Sequence, residues 1–148
     1  MPMLRFGLVS DFILSLEVES TKPNESCDGV VVVFGYQDES NFYFLNLAGT
    51  EVPMETGLFQ IGPDGVRKIP EHWEVGAVEF AHCHRLKFER QVLSGEFRFY
   101  LDNMKKPVLA FVDTTFQQGA IGIGLHQNTV LKCEPEIKAV RSVPLLSD

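Results

Sequence analysis

"GVVVVFGYQDESNFYFLNLAG", Gly29 to Gly49, decides how this chain is read. Its first part, Gly29 to Tyr36, is mostly β-branched and aromatic, the composition of a central strand buried on both sides. Gln37-Asp38-Glu39-Ser40 turns the chain and Asn41 to Leu47 returns, so the stretch predicts a hairpin. Successive side chains of a strand point to opposite faces. Phe42, Phe44 and Asn46 therefore share one face, and Tyr43, Leu45 and Leu47 the other. Neither face is polar enough to be simply solvated. The returning strand is structural and central, with Asn41, Tyr43 and Asn46 as its candidate contributors to a site.

The same period of two runs outward from the hairpin. In Asp11 to Glu19, Phe12, Leu14, Leu16 and Val18 share one face, and Asp11, Ser15, Glu17 and Glu19 the other, which predicts a half-buried strand. Thr21 to Ser26 reads as a loop. Gly57 to Gln60 and Val66 to Ile69 flank Gly62-Pro63-Asp64-Gly65, whose Asp-Gly ending signals a tight turn. Pro70 to Gly76 is a connection. His82 to Val92 alternates, with Leu86 and Phe88 on the face of His84 and Arg90. Ser94-Gly95 turns into Phe97 to Leu101, and Asp102-Asn103 turns into Pro107 to Val112. Gly119 to Leu125 sets Ile121, Ile123 and Leu125 opposite Gly122 and Gly124, which allow close approach by a backbone or a ligand. Val130 to Val140 closes the domain. No stretch has a helical period. About ten short strands with turns every 8–12 residues predict an antiparallel sandwich or jelly roll.

Composition agrees with one globular domain over 1–148, with 142–148 as a frayed tail. The chain has 148 residues and a formal net charge of −7, so a phosphate backbone would be repelled and nucleic acid is not an expected partner. No run approaches the roughly 20 apolar residues that span a membrane. The first residues lack the pattern of a signal peptide, which leaves a cytoplasmic protein, a mature form or a module of a longer chain. Cys27, Cys83 and Cys133 are odd in number and widely spaced, and read as free, partly buried thiols rather than a disulfide or zinc framework.

The second half carries a family resemblance. His84-Arg85-Leu86-Lys87-Phe88, Gly95-Glu96-Phe97, Tyr100-Leu101-Asp102, Pro107-Val108, Asp113-Thr114-Thr115-Phe116 and Gly119 to Gly124 resemble a run of the concanavalin A-like lectin/glucanase superfamily. Asp38 to Leu45 is similar to the D-x-x-N-[FY]-Y-x-[VL] hairpin of laminin G-like members, and the 3-keto-disaccharide hydrolase-like domains are further relatives. The resemblance covers roughly Asp11 to Val140. It implies an all-β, concanavalin A-like jelly-roll sandwich of two antiparallel sheets, and an extracytoplasmic setting. The chain departs from the pattern where many relatives carry paired aspartates: here Leu125-His126-Gln127-Asn128-Thr129 follows the glycine strand. Many relatives also have His where Asn46 sits. Calcium ligands of relatives are thus partly gone, although Asp38, Asn41 and Asp113 still offer hard oxygens for a structural calcium ion.

Four kinds of chemistry were weighed. Catalytic carboxylates of the laminarinase type stand as E-x-D-x-x-E on one strand, and no such run occurs. Glu17 and Glu19 share a face at roughly 6–7 Å, a glycosidase spacing, but read as the solvated stripe of a strand, as do Glu134 and Glu136. His82 and His84 have a His-x-His spacing. Glu89 falls on the opposite face, so no metal site is read there. Cys83 points away from both neighbouring histidines, so neither serves as its base. That leaves a sugar platform, in which aromatic faces meet the C–H face of a ring while amides and charges bond its hydroxyls.

The candidate carbohydrate-binding residues are Tyr36, Asp38, Asn41, Tyr43 and Asn46 from the hairpin, Arg98 and Tyr100 from the second half, and His126 and Asn128 near the end. Trp73, Gln37 and Gln127 are further candidates. The expected function is non-catalytic glycan recognition by a module of a larger carbohydrate-active or surface protein, with millimolar-to-micromolar affinity, roughly −4 to −8 kcal/mol. A glycoside hydrolase-like enzyme and a protein-interaction module, including a homodimer through edge strands, are the alternatives.

Overall fold

The computed structural model describes residues 3–21, 29–48, 56–69, 83–126 and 128–141. Trp73, His82, Cys27, Gln127, the connection from Pro70 to Gly76 and the tail from Ser142 lie outside them. Eleven strands follow one another: β1 (Met3–Ser20), β2 (Gly29–Asp38), β3 (Asn41–Ala48), β4 (Gly57–Gly62), β5 (Gly65–Lys68), β6 (His84–Gln91), β7 (Glu96–Leu101), β8 (Leu109–Val112), β9 (Gly119–Leu125), β10 (Thr129–Leu131) and β11 (Glu136–Arg141). All pairings are antiparallel. Among the described residues there is no helix.

β1 organises the fold. Its N-terminal half, Met3 to Val9, pairs with β9, while Phe12 to Val18 pairs with β6. Register shifts fall between Phe6 and Leu8 and between Val9 and Phe12, where the strand leaves one layer for the other. One layer is thus β5-β4-β3-β2-β9 with the first half of β1. The other is β8-β7-β6 with the second half of β1, to which β10 and β11 add on the far edge. The sequence reading began this strand at Asp11. Gly7 and the bulges break the alternation before it, which is why the first half was not legible.

Side chains facing inward interleave as aromatic pairs. Phe34 of β2 stacks on Phe97 of β7 at 4.8 Å, joining the layers, and meets Phe12 edge-on at 6.1 Å. Phe88 stacks on Phe99 at 5.0 Å. Each such pair adds about 0.5–1.5 kcal/mol beyond area burial. The alternation read in β3 holds: Tyr43, Leu45 and Leu47 are in the core. Tyr43, a candidate contact from sequence, is thus placed in the core at 0 % exposure. Its ring stacks on Phe34 at 4.9 Å, and its hydroxyl donates to Asp113 and accepts from Phe116 N–H.

The core also holds a charge. Arg90 lies on the inner face of β6, as its alternation with Leu86 and Phe88 requires, and is 2 % exposed. Nη1 donates to Gly95 O at 2.8 Å, and Nη2 donates to Asp113 O and Phe116 O, each at 2.9 Å. The guanidinium also sits 5.2 Å from the Tyr43 ring centroid. Burial pulls its pKa below the ordinary arginine value, opposed by Tyr43, Asp113 and Asp11. These bonds fix the β6–β7 turn and the β8–β9 loop to the core. Cys83 and Cys133 are free thiols, exposed rather than partly buried.

Lysine at position 90 cannot reach three carbonyls from a single nitrogen. Arg90→Lys is expected to lower stability by about 3–5 kcal/mol, because buried acceptors lose their donor. Urea unfolding of the variant beside wild type measures it. Gly119 faces a second constraint. A Cβ there would lie 2.4 Å from Gly35 C and 2.5 Å from Tyr36 N, both backbone atoms that cannot swing away. Gly119→Ala is expected to lower the melting temperature and to shift the Tyr36 backbone amide in an NMR spectrum. A spectrum unchanged at Tyr36 would contradict this.

Candidate functional site

The residues singled out from sequence fall in separate places. Tyr36 reaches the outer face of the six-stranded layer because β2 is irregular just before it. Gly35 takes φ +59°, open to glycine, and the register shifts between Val33 and Tyr36. There Tyr36 meets Phe42 with ring centroids 5.4 Å apart. Phe42 meets Phe44 at 6.2 Å, and Phe44 stacks on Phe59 of β4 at 4.9 Å. All four rings are half-buried. Beside the row lies a groove of about 500 Å³. Val33, Tyr36, Phe42 and Phe6 line it, Gly122 forms part of its floor, and Arg5 and Glu39 are its charged groups.

Asp38 and Asn41 close the β2–β3 turn. Asp38 Oδ1 accepts from Ser40 N–H at 2.8 Å and from Asn41 Nδ2 at 2.9 Å, and its other oxygen accepts from Asn41 at 3.2 Å. The Asn41 and Ser40 bonds hold the Asp38 carboxyl below its ordinary pKa. Asp113, the other calcium candidate, accepts from Tyr43, Thr115 N–H and Arg67. The carboxylate oxygens thus already serve protein donors. Among the described residues, no three His, Cys, Asp or Glu side chains gather as a metal site.

Four other expected contacts are engaged with neighbouring residues. Asn46 faces outward, as its alternation with Phe42 and Phe44 requires, but is fully buried, with Oδ1 3.4 Å from His126 Nε2. His126 is half-buried, and burial lowers its pKa. Asn128 is buried in the β9–β10 turn, where its carbonyl accepts from Thr21 N–H at 2.7 Å. Tyr100 is 7 % exposed, and Lys87 Nζ stands 4.1 Å over its ring, so the face a sugar would use is taken. Arg98 is open to solvent but pairs with Glu96 at 3.3 Å on the outer face of the other layer, away from Tyr36. Of the nine candidates, Tyr36 lines the groove, Asn41 a neighbouring polar cavity of about 610 Å³, and Arg98 two smaller hollows of about 390 and 210 Å³ on the other layer.

Sequence reasoning passed over Phe42, Phe44 and Phe59. The signal was present, since alternation put Phe42 and Phe44 together opposite Tyr43. The phenol hydroxyl drew attention to Tyr43, yet that hydroxyl is spent on Asp113. Glu17 and Glu19, read as a solvated stripe, pair with Arg85 at 3.6 Å and Lys132 at 2.5 Å. His84 holds Asp102 at 2.8 Å, which with Arg85 N–H anchors a turn at a positive φ of 64°.

Asp113 sets an acid dependence. Burial pushes its carboxyl up, but the bonds from Tyr43 and Thr115 and the nearby Arg67 pull it further down, to a net value below the ordinary one. A carboxyl lowered in the fold stabilises it above the unfolded value near pH 4, and that contribution is lost as pH falls through the folded value. Asp113→Asn is expected to flatten the fall in stability between about pH 4 and pH 2, with Asp102 and Asp38, whose carboxyls are also lowered, supplying the remainder. Urea titrations across that range test it. Equal slopes in variant and wild type would exclude the role.

No protein-family model matches the chain, and no curated protein is similar to it in sequence. Solved structures are similar to it in shape. The carbohydrate binding module CBM66 from Bacillus subtilis matches at 18 % identity and TM-score 0.60, over 95 % of this chain and 82 % of the module. A toad ovary galectin, solved with thio-digalactose, matches at 15 % identity and TM-score 0.58, over 93 % of this chain and 99 % of the galectin. CG-16, a homodimeric agglutinin from chicken liver, matches at 7 % identity and TM-score 0.60, over 93 % of this chain and 100 % of the agglutinin. With the two-layer topology and inward aromatic core, these likenesses establish the fold as a jelly-roll β-sandwich of the concanavalin A-like lectin type.

Proposed function

We propose that this chain is a non-catalytic carbohydrate-binding module, part of a larger carbohydrate-active or surface protein, that holds a saccharide on the outer face of its six-stranded layer. The observation that carries this reading is the aromatic row Tyr36–Phe42–Phe44–Phe59 beside a groove of about 500 Å³. A sugar ring has an apolar C–H face and a hydroxyl rim. Half-exposed aromatic rings accept the face, and Arg5 and Glu39 reach hydroxyls at the rim. Glu39 is the one carboxylate lining the groove, whereas glycoside hydrolysis by the usual routes uses a pair, so the reading is binding without turnover. Two proteins of similar shape, a carbohydrate binding module and a galectin solved with thio-digalactose, support the ligand class. The motif from Asp38 to Leu45 supports a finer kinship with laminin G-like and 3-keto-disaccharide hydrolase-like domains.

A glycan array run with calcium and again with chelator tests the reading, and its chelator arm decides whether Asp38 and Asn41 take a structural calcium ion. Binding in the millimolar-to-micromolar range is expected. Tyr36→Ala is expected to weaken it by about tenfold while leaving the unfolding midpoint near wild type. A blank array under both conditions would discard the glycan.

Self-association is the second reading, and a specific feature favours it. Met3 to Leu8 of β1 borders the six-stranded layer, and among the described residues no strand covers its outer edge. Leu4 and Leu8 stand there 48 % and 53 % exposed. An open edge with apolar side chains is a template for pairing with another copy. Sedimentation equilibrium is expected to show a mass that rises with concentration, and Leu8→Lys to hold the chain monomeric. A wild-type mass constant over the accessible range would dismiss it.

A further inference from the structure

The polar cavity at the end of the sandwich has no role in the groove described above. Gln37, Asn41, Thr114, Thr115, Gln117 and Gln118 line its volume of about 610 Å³ around Phe116. No charged side chain lines it, although 22 % of the chain is charged. It adjoins the groove through the β2–β3 hairpin: Tyr36 and Phe42 line the groove, and their chain neighbours Gln37 and Asn41 line the cavity.

The loop forming its other wall, 113–118, has no regular secondary structure but is held at point after point. Arg90 takes the carbonyls of Asp113 and Phe116, each at 2.9 Å. Tyr43 Oη accepts from Phe116 N–H at 3.2 Å, and Asp113 Oδ1 accepts from Thr115 N–H at 2.9 Å. Gln37 donates its amide to Gln118 O. The next residue, Gly119, lies against the Gly35–Tyr36 backbone. The exposed side chains of Thr114 and Gln117 make no hydrogen bond among the described residues. A loop fixed by its backbone, with its outward polar groups left over, is preorganised to receive a ligand at low entropic cost.

We propose that this cavity is a second subsite, taking an uncharged, hydroxyl-rich unit of the same saccharide. The inference rests on the glycan reading. Sugar hydroxyls both donate and accept, as do amides and the threonine hydroxyl, so this lining matches them in both senses. A carboxylate or sulfate unit would find no cation in the lining to offset its desolvation. Arg90 is a positioning residue, acting on the ligand through the loop it fixes.

The test uses calorimetry and ¹⁵N NMR on the full chain with a panel of neutral gluco-, galacto-, manno- and fructo-oligosaccharides and uronate-containing oligosaccharides. A neutral oligosaccharide is expected to bind and to shift the amides of 114–118 and the side-chain amide of Gln117. Gln117→Ala and Thr114→Val are each expected to weaken it by about 3- to 10-fold with the unfolding midpoint unchanged. Wild-type affinity in both variants, or binding confined to uronate-containing members, would overturn this subsite and leave the glycan reading standing. No binding by any member, with Tyr36→Ala equally silent, would overturn the glycan reading and this inference with it.

Discussion

A single buried guanidinium ties together the parts of this sandwich that have no sheet to hold them. Arg90 is surrounded by Phe34, Tyr43 and backbone carbonyls, and its guanidinium donates to carbonyl oxygens of Gly95, Asp113 and Phe116. An ion in that position would be costly if any of those carbonyls moved, because its solvation is supplied by the loop geometry itself. The dependence runs both ways. The β8–β9 loop has its carbonyls turned inward because Arg90 is there, and Arg90 is tolerable in an aromatic core because the loop has closed over it.

That closure reaches the outer surface. The loop carries Asp113, which takes the Tyr43 hydroxyl, and Tyr43 in turn stacks on Phe34. Beyond the loop, Gly119 packs on Gly35, whose positive φ turns Tyr36 out of the core and onto the groove. The chain of contacts from Arg90 to Tyr36 therefore consists of backbone-fixing bonds and close glycine packing. Such links tolerate little adjustment, so the site inherits the rigidity of the core.

The strands were legible from local signals: polar and apolar side chains alternate along most of β6 and β7, while β2, β3 and β9 are β-branched, aromatic or glycine-spaced runs bounded by turn residues. Legibility failed where a local rule was broken for a tertiary reason. The first half of β1 hides behind Gly7 and two register shifts that exist to carry the strand between layers. The site failed for a different cause. Residue type alone ranked Tyr43, Tyr100 and Asn46 as ligand contacts, since each joins a polar group to a favourable position. Each has that group or face occupied by another residue, Asp113 and His126 at 70 and 80 positions away for Tyr43 and Asn46, and Lys87 on the facing strand for Tyr100. Only a fold brings such partners together. Phe42, Phe44 and Phe59 were underrated for the converse reason: phenylalanine is expected inside, and nothing in the sequence says that among the described residues these rings are only half-buried.

The two outer faces differ in character. Across β1, β6 and β7, Glu17 stands beside Arg85, Glu89 is registered against Arg98, and Lys87 lies over Tyr100. Opposite charges facing one another across strands are what a solvated sheet requires, and they leave little for a ligand to gain. Across β2, β3 and β4 the same chain places rings where it could have placed charges. Half-exposed aromatics cost solubility and add little to the fold that smaller residues would not. A row of half-buried rings on one face is the kind of surface on which ligands bind. The groove beside them, narrow, apolar along its length and charged only at Arg5 and Glu39, fits a ligand that is itself apolar on its face and polar at its rim.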